Sequence, residues 1–313
     1  MIFDAHSDLP TFVYDERKKG RTRVLEGNFE RFFGRTIAAR VMAIWTRPER
    51  RGGDATTYGL EVLNALLRDV AESERFELVR NVEGMKEAVE GGRVALWLGL
   101  EGGGEPIGES LGLLEVFHHL GLRVLTLTWS LRNAIGDGVF ERTGGGLTNF
   151  GVEVVGKAEE LGIVLDLSHI NEAGFRDALD VTSFPVIASH SNAKSLCDHP
   201  RNLTDEQIKA IAERDGVVGA VAIPSFVHPE RPTLERYVEQ IAYMVELAGY
   251  RHVGLGFDFV YYLPGWSGRS VEGFEDESKI PALIERLREN FSEREIEAIT
   301  FGNFERVFER VVG

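Results

Sequence analysis

Short apolar, β-branched runs recur along this chain and alternate with longer amphipathic stretches. The runs fall at residues 2–5, 37–45, 94–100, 123–128, 163–167, 185–189, 217–222 and 252–257. Most are apolar almost without a break, as in Val94-Ala95-Leu96-Trp97-Leu98-Gly99-Leu100. A strand of that kind must be covered on both faces, which is the situation of parallel strands flanked by helices. Helical periodicity predicts helices over 57–73, 82–90, 108–120, 150–161, 172–179, 204–215 and 232–247. Asn171 and Thr204 are placed as N-caps, and Gly162 and Gly216 as residues that end helices. Eight strands alternating with helices predict an α/β fold closed as a (β/α)8 TIM-type barrel. Three extra C-terminal helices, over 278–290, 293–300 and 303–311, are expected to pack on its outside. An open doubly wound sheet would need a phosphate-binding glycine loop after an early strand. Glu101-Gly102-Gly103-Gly104-Glu105 has the glycines, but its flanking acids would repel phosphate.

Composition narrows the partners. The 313 residues are 43% hydrophobic, enough for a sizeable core, and residues 1–313 are read as one barrel domain. The formal charge of −15 disfavours a nucleic-acid backbone or an anionic membrane surface as partner. Cys197 is the single cysteine, so no intrachain disulfide is available. No apolar run approaches the roughly 20 residues of a membrane span. No signal-peptide pattern precedes the first motif, and a cytoplasmic location is expected.

In such barrels the C-terminal ends of the strands form one rim, and active sites sit there. His6 and Asp8 end the first strand. Residues i and i+2 of a strand share a face, so the imidazole and the carboxylate are expected side by side, a pairing suited to zinc. Read in isolation, His-x-Asp is an exposed strand end. Glu101 ends the third predicted strand, His169 the fifth, His190 the sixth and Asp258 the eighth. Six ionisable groups on one rim would be costly to bury without a cation. The other histidines are less suited. His118 and His119 lie about 100° apart on a helix. His252 starts a strand at the opposite end, and His199 and His228 lie in loops, His228 within reach of the rim.

The motifs, taken in order, resemble the zinc-dependent membrane (renal) dipeptidase family of amidohydrolase-like barrels. The stretches that carry the resemblance are Asp4-Ala5-His6-Ser7-Asp8-Leu9-Pro10, Gly99-Leu100-Glu101-Gly102-Gly103, the run from Leu120 to Thr128, and Asp166-Leu167-Ser168-His169. They continue with Ser189-His190-Ser191, Arg201-Asn202-Leu203 and Gly254-Leu255-Gly256-Phe257-Asp258-Phe259. The resemblance implies a metallopeptidase with two Zn2+ per chain, one held by His6 and Asp8 and one by His169 and His190. Glu101 would bridge them together with a hydroxide. It implies hydrolysis of free dipeptides, D-residues at the C-terminal position included. Arg201 would bind the substrate carboxylate, Asp258 would carry a proton from the attacking water to the leaving amine, and a homodimer is the family's common state.

Two positions depart from the family pattern. Trp129 stands where studied members carry a histidine near the substrate carbonyl, so carbonyl stabilisation or pocket shape is expected to differ. Val260 replaces an acid two residues after Asp258, in a loop made aromatic by Tyr261, Tyr262 and Trp266. Two alternatives remain open: a binuclear-metal amidohydrolase acting on a non-peptide amide, and a zinc-binding pseudo-enzyme altered at Trp129.

Overall fold

The computed structural model describes residues 1–34, 36–47, 49–50, 53–266 and 270–313. Its strands are β1 (Ile2–Ser7), β2 (Ile37–Trp45), β3 (Phe76–Val79), β4 (Val94–Glu101), β5 (Leu122–Thr126), β6 (Val164–Asp166), β7 (Ile187–Ala188), β8 (Val217–Ala220) and β9 (Val253–Leu255). Every pairing between these strands is parallel. Eight strands close into the barrel. β2 pairs directly with β4 from Ala39↔Ala95 to Trp45↔Glu101, and β9 returns to β1 at Asp4↔Leu255.

The ninth strand, β3, is an addition to the eight expected from sequence. It lies along Val94–Trp97 of β4, while β5 takes up the same side of β4 from Leu98 onward. Its four residues fall between two strong helical patterns. Only Phe76 and Val79 are buried, so the segment lacks the apolar continuity that marks the barrel strands.

The predicted helices form, with shifted ends. The 57–73 segment is a helix over Gly53–Ala71, and the 108–120 segment one over Leu111–His119. Asn171 caps its helix through Oδ1, which accepts from the Gly174 amide at 2.8 Å. Thr204 and Gln207 form a reciprocal capping box. Gly162 takes the left-handed turn at φ 66°. At the other site the left-handed residue is Asp215, at φ 55°, rather than Gly216. Gly216 is needed for space, because a Cβ there would lie 2.1 Å from the Val186 carbonyl oxygen. A helix that the hydrophobic pattern did not signal, Leu9–Lys18, starts directly after β1 with Pro10 in its first turn.

The last helix, Asn303–Val311, was expected on the outside and instead caps one end of the barrel. Phe304 and Phe308 pack on Phe3 of β1, with ring centroids 5.6 and 5.0 Å apart, and Trp97 of β4 meets Phe308 at 4.7 Å. Gly254 makes room for this, since a Cβ there would sit 2.3 Å from the Phe304 ring. The N-terminal mouth is thereby filled with aromatic rings, and the C-terminal rim is left as the open end. Among the described residues, no helix is long and apolar enough to cross a membrane.

Candidate metal centre and its cavity

The rim gathers the six groups expected there. His6 lies inside β1, and Glu101 is the last residue of β4. Asp8 is not on the strand as expected: it is the residue that starts the Leu9–Lys18 helix. Its Oδ1 still lies 3.9 Å from His6 Nε2, so a turn rather than the strand pleat brings the pair together. Neither is an exposed strand end; both are buried. His169, His190 and Asp258 all stand past the ends of β6, β7 and β9. His169 and Asp258 have left-handed backbones, at φ 69° and 52°. Such angles cost a side-chain-bearing residue on the order of 1–3 kcal/mol and cluster at functional sites.

Glu101 occupies the centre. Its Oε1 lies 2.9 Å from His169 Nε2 and 3.6 Å from His190 Nε2, and its Oε2 lies 3.7 Å from His6 Nε2. Asp258 Oδ1 is 3.9 Å from the same His6 nitrogen. The Nε2 atoms of His169 and His190 approach to 2.9 Å.

Hydrogen bonds behind the imidazoles fix their direction. Asp166 accepts the Ser189 hydroxyl at 2.6 Å, and that hydroxyl stands 2.7 Å from His190 Nδ1. Because the Ser189 proton goes to Asp166, the hydroxyl oxygen is left to accept from His190 Nδ1–H. His190 Nε2 is then a bare lone pair aimed at Glu101 and His169. Asp166 also accepts from the amides of Ser168 and Ser189 and from the Thr126 hydroxyl. Ser130 Oγ stands 3.1 Å from His169 Nδ1. On the other side Asp4 accepts the Phe257 amide at 3.0 Å and the His6 amide at 3.4 Å, tying β1 to the segment that carries Asp258. Arg40 donates to Asp4 at 2.8 Å and to Glu277 at 3.1 Å. Ser189, Asp166, Ser130, Asp4 and Arg40 were not singled out from sequence; Asp4, Asp166 and Ser189 lay inside quoted motifs, and that adjacency was the available signal.

The donor set suits a divalent cation. His6 Nε2 and Asp8 Oδ1 are buried without a hydrogen-bond partner, and the clusters His6–Glu101–His190 and His6–Asp8–Asp258 each bring three ligand atoms within 4.8 Å. Burial alone drives every group here away from its charged form. It pushes Asp8 up to about 7 and His6 down to about 4. It raises Glu101 and Asp258, with the Asp8 charge adding to the effect, and lowers His169 and His190. A bound cation reverses that preference for the carboxylates, which it holds ionised, and reinforces it for the imidazoles, which ligate unprotonated.

Asp8, Glu101, His169 and Asp258 of the cluster line a cavity of about 730 Å³. Arg201 reaches this cavity from a buried position, donates through Nη2 to the His190 carbonyl at 3.1 Å and leaves Nε unpartnered. Burial lowers it to about 10, while the charges of Glu101 and Asp258 oppose the shift. Trp129 lines the wall, its ring 5.9 Å from that of His169 and 5.5 Å from that of Trp45. Of the aromatic loop, Trp266 reaches the cavity with Val260 and Leu263, whereas Tyr261 and Tyr262 turn inward to Glu277 and Ser7. His228 is occupied in its own turn, its Nδ1 accepting the amides of Glu230 and Arg231. His252 binds the Gly216 carbonyl at the far end. His118 and His119 stay on their helix. His199, read from sequence only as a loop residue, lines the cavity beside Arg201.

The model of the membrane dipeptidase family, peptidase family M19, matches residues 1–312. An uncharacterized dipeptidase of Schizosaccharomyces pombe is 35% identical over 228 residues, covering 70% of this chain and 53% of that protein. Dipeptidase aclJ of Aspergillus oryzae is 36% identical over 222 residues, covering 69% of this chain and 51% of its own length. The chain thus spans about half the length of the curated relatives it matches. Among solved structures, the dipeptidase AC, a metallo peptidase of family M19, superposes with a TM-score of 0.89 at 29% identity, covering 100% of this chain and 98% of its own. A metallo peptidase from Rhodobacter sphaeroides, bound to a phosphinate mimic of the dipeptide L-Ala-D-Ala, gives a TM-score of 0.89 at 28% identity over 99% of both chains. A family model spanning the whole barrel, with relatives of matching fold, decides the assignment: this chain belongs to the membrane dipeptidase family, peptidase family M19.

Proposed function

We propose that the protein is a binuclear zinc dipeptidase that hydrolyses the peptide bond of free dipeptides, including those ending in a D-residue. The observation that carries this is the placement of Glu101, one oxygen toward the His169–His190 pair and the other toward His6, with a buried arginine in the same cavity. Zinc would be held by His6 and Asp8 on one side, by His169 and His190 on the other, and by Glu101 between them. When bound, a zinc pair lowers the pKa of a water and polarises a carbonyl.

The remaining roles belong to the chain's own side chains. Arg201 takes the substrate's C-terminal carboxylate; a planar guanidinium buried in the cavity suits that task and rejects substrates lacking a free carboxylate. Asp258, beside His6, accepts a proton from the attacking water and hands it to the leaving amine. Trp129 packs over His169 and shapes the space around the scissile carbonyl. The D-residue in the ligand of the Rhodobacter sphaeroides relative supports including D-residues in the substrate class.

The test is metal analysis combined with turnover on a dipeptide panel bearing L- or D-residues at the C-terminal position, each with its carboxylate free or amidated. Two zinc ions per chain, with hydrolysis lost on amidation, is the expected result. Fewer than one metal per chain overturns the reading.

A further inference from the structure

One wall of the cavity has no part in the chemistry above. Beginning at Arg201, three rings follow one another toward solvent. The Arg201 guanidinium lies 5.5 Å from the Phe226 centroid, Phe226 and His199 are 4.4 Å apart, and Phe140 meets His199 edge-on at 6.2 Å. All four residues line the cavity. Phe140 is 49% exposed, unusual for a large apolar ring, and its backbone is firmly held. Its amide donates to the Ser130 carbonyl at 2.8 Å, and the amide of Val139 donates to the carbonyl of His169 at 2.8 Å. The backbone that carries the ring is thus held in register with a candidate metal ligand. Phe226 is held in the same way, because its carbonyl accepts from the side-chain amides of Asn192 and Asn202, the latter adjacent to Arg201.

The wall is uncharged. Burial and the adjacent Arg201 lower the pKa of His199, and its Nδ1 accepts the Arg201 amide at 3.1 Å, which leaves the ring proton on Nε2. Among the described residues lining the cavity, the carboxylates are Asp8, Glu101 and Asp258, all in the metal cluster, and the one arginine or lysine is Arg201. A substrate carboxylate would therefore meet aromatic faces and lose its water without gaining a partner, and an ammonium would gain only the ring faces in exchange for its water.

We propose that Phe226, His199 and Phe140 form the pocket for the side chain of the substrate's C-terminal residue, and that this pocket selects a large apolar or aromatic residue there. The inference rests on the dipeptidase reading, in which Arg201 holds the C-terminal carboxylate. That anchor places the adjacent Cα, and hence its side chain, at the start of this wall. The rings then supply apolar burial and edge-to-face or stacked contacts that a glycine or alanine cannot use.

The zinc-loaded enzyme is assayed for kcat/KM on Ala-Gly, Ala-Ala, Ala-Leu, Ala-Phe, Ala-Glu and Ala-Lys, and on Phe-Gly for the opposite position. Ala-Phe and Ala-Leu should exceed Ala-Gly by about tenfold or more, with Ala-Glu and Ala-Lys well below Ala-Phe. In Phe140→Ala the Ala-Phe to Ala-Gly ratio should fall by about tenfold, and Phe140→Leu should recover most of it. The ratio does not depend on how much enzyme is folded, and truncating a half-exposed ring poses little threat to the fold. A flat C-terminal series, an unchanged ratio in Phe140→Ala, or a loss confined to Phe-Gly overturns the pocket while leaving the dipeptidase reading intact. No turnover of any dipeptide by the zinc-loaded enzyme overturns both.

Discussion

The hydroxyl of Ser189 stands between a carboxylate and an imidazole. Asp166 takes its proton, and His190 Nδ1–H fills its lone pair, so the imidazole presents Nε2 to the cluster in one tautomer and one orientation. Partners of this kind behind a metal-binding histidine are typically worth 10–100-fold in metal affinity. Ser189→Ala should therefore weaken zinc binding by about that factor, read by competition against a chromogenic chelator. Affinity equal to that of the wild type would show that the hydroxyl does not orient the ring. Arg201 is fixed by similar means, its Nη2 bound to the carbonyl of the same histidine, so a candidate metal ligand and the proposed substrate anchor share one residue.

Among the elements, β1, β2 and the Glu277 segment are joined by a single buried guanidinium. Arg40 of β2 donates to Asp4 of β1, to Glu277 and to the carbonyl of Phe32, while Tyr261 donates to the second oxygen of Glu277. Two carboxylates share one cation, and burial, opposed by Arg40, pushes Glu277 up to about 7. An acid whose folded pKa lies above its unfolded value near 4.5 contributes most to stability when protonated. That contribution is complete below about 4.5 and lost as pH rises through about 7. The stability of the wild type relative to Glu277→Gln should accordingly fall by about 3 kcal/mol between pH 4.5 and pH 7.5, measured by urea unfolding of the metal-free proteins. A difference independent of pH would place an ordinary, ionised carboxylate at Glu277. None of this network was legible in the sequence, because Arg40 sits in an apolar strand and its partners lie 36 and 237 residues away. The barrel strands were legible because burial on both faces leaves an unbroken apolar run. β3 was not, since a short strand with its middle residues half-buried leaves no such run. The rim residues were found because strand ends and metal-capable side chains are both visible in one dimension. The turn that brings Asp8 to His6 and the left-handed angles at His169 and Asp258 are properties of the folded backbone.

On the scale of the whole molecule the two mouths of the barrel divide the labour. The N-terminal mouth is closed by Phe304 and Phe308 against Phe3 and Trp97, and it carries none of the candidate ligands. Phe304→Ala should cost about 3–5 kcal/mol of stability, as expected for removing a buried ring. Its effect on kcat/KM at 25 °C should be within about twofold, because the surviving folded fraction keeps its rim; unfolding curves and dipeptide assays on the same preparation check both. A larger loss of kcat/KM at full folding would mean that the plug also sets the rim. At the opposite mouth, the bond from the Phe257 amide to Asp4 joins residues 253 apart in the chain. His6 and Asp8 are therefore made well before Asp258 and wait, while Asp258 leaves the ribosome only after β8 and all of β9. Half the cluster has no counterpart until the seam between the first and last strands is sewn. The growing polypeptide, itself full of amide bonds, carries no finished centre until the barrel has closed around it.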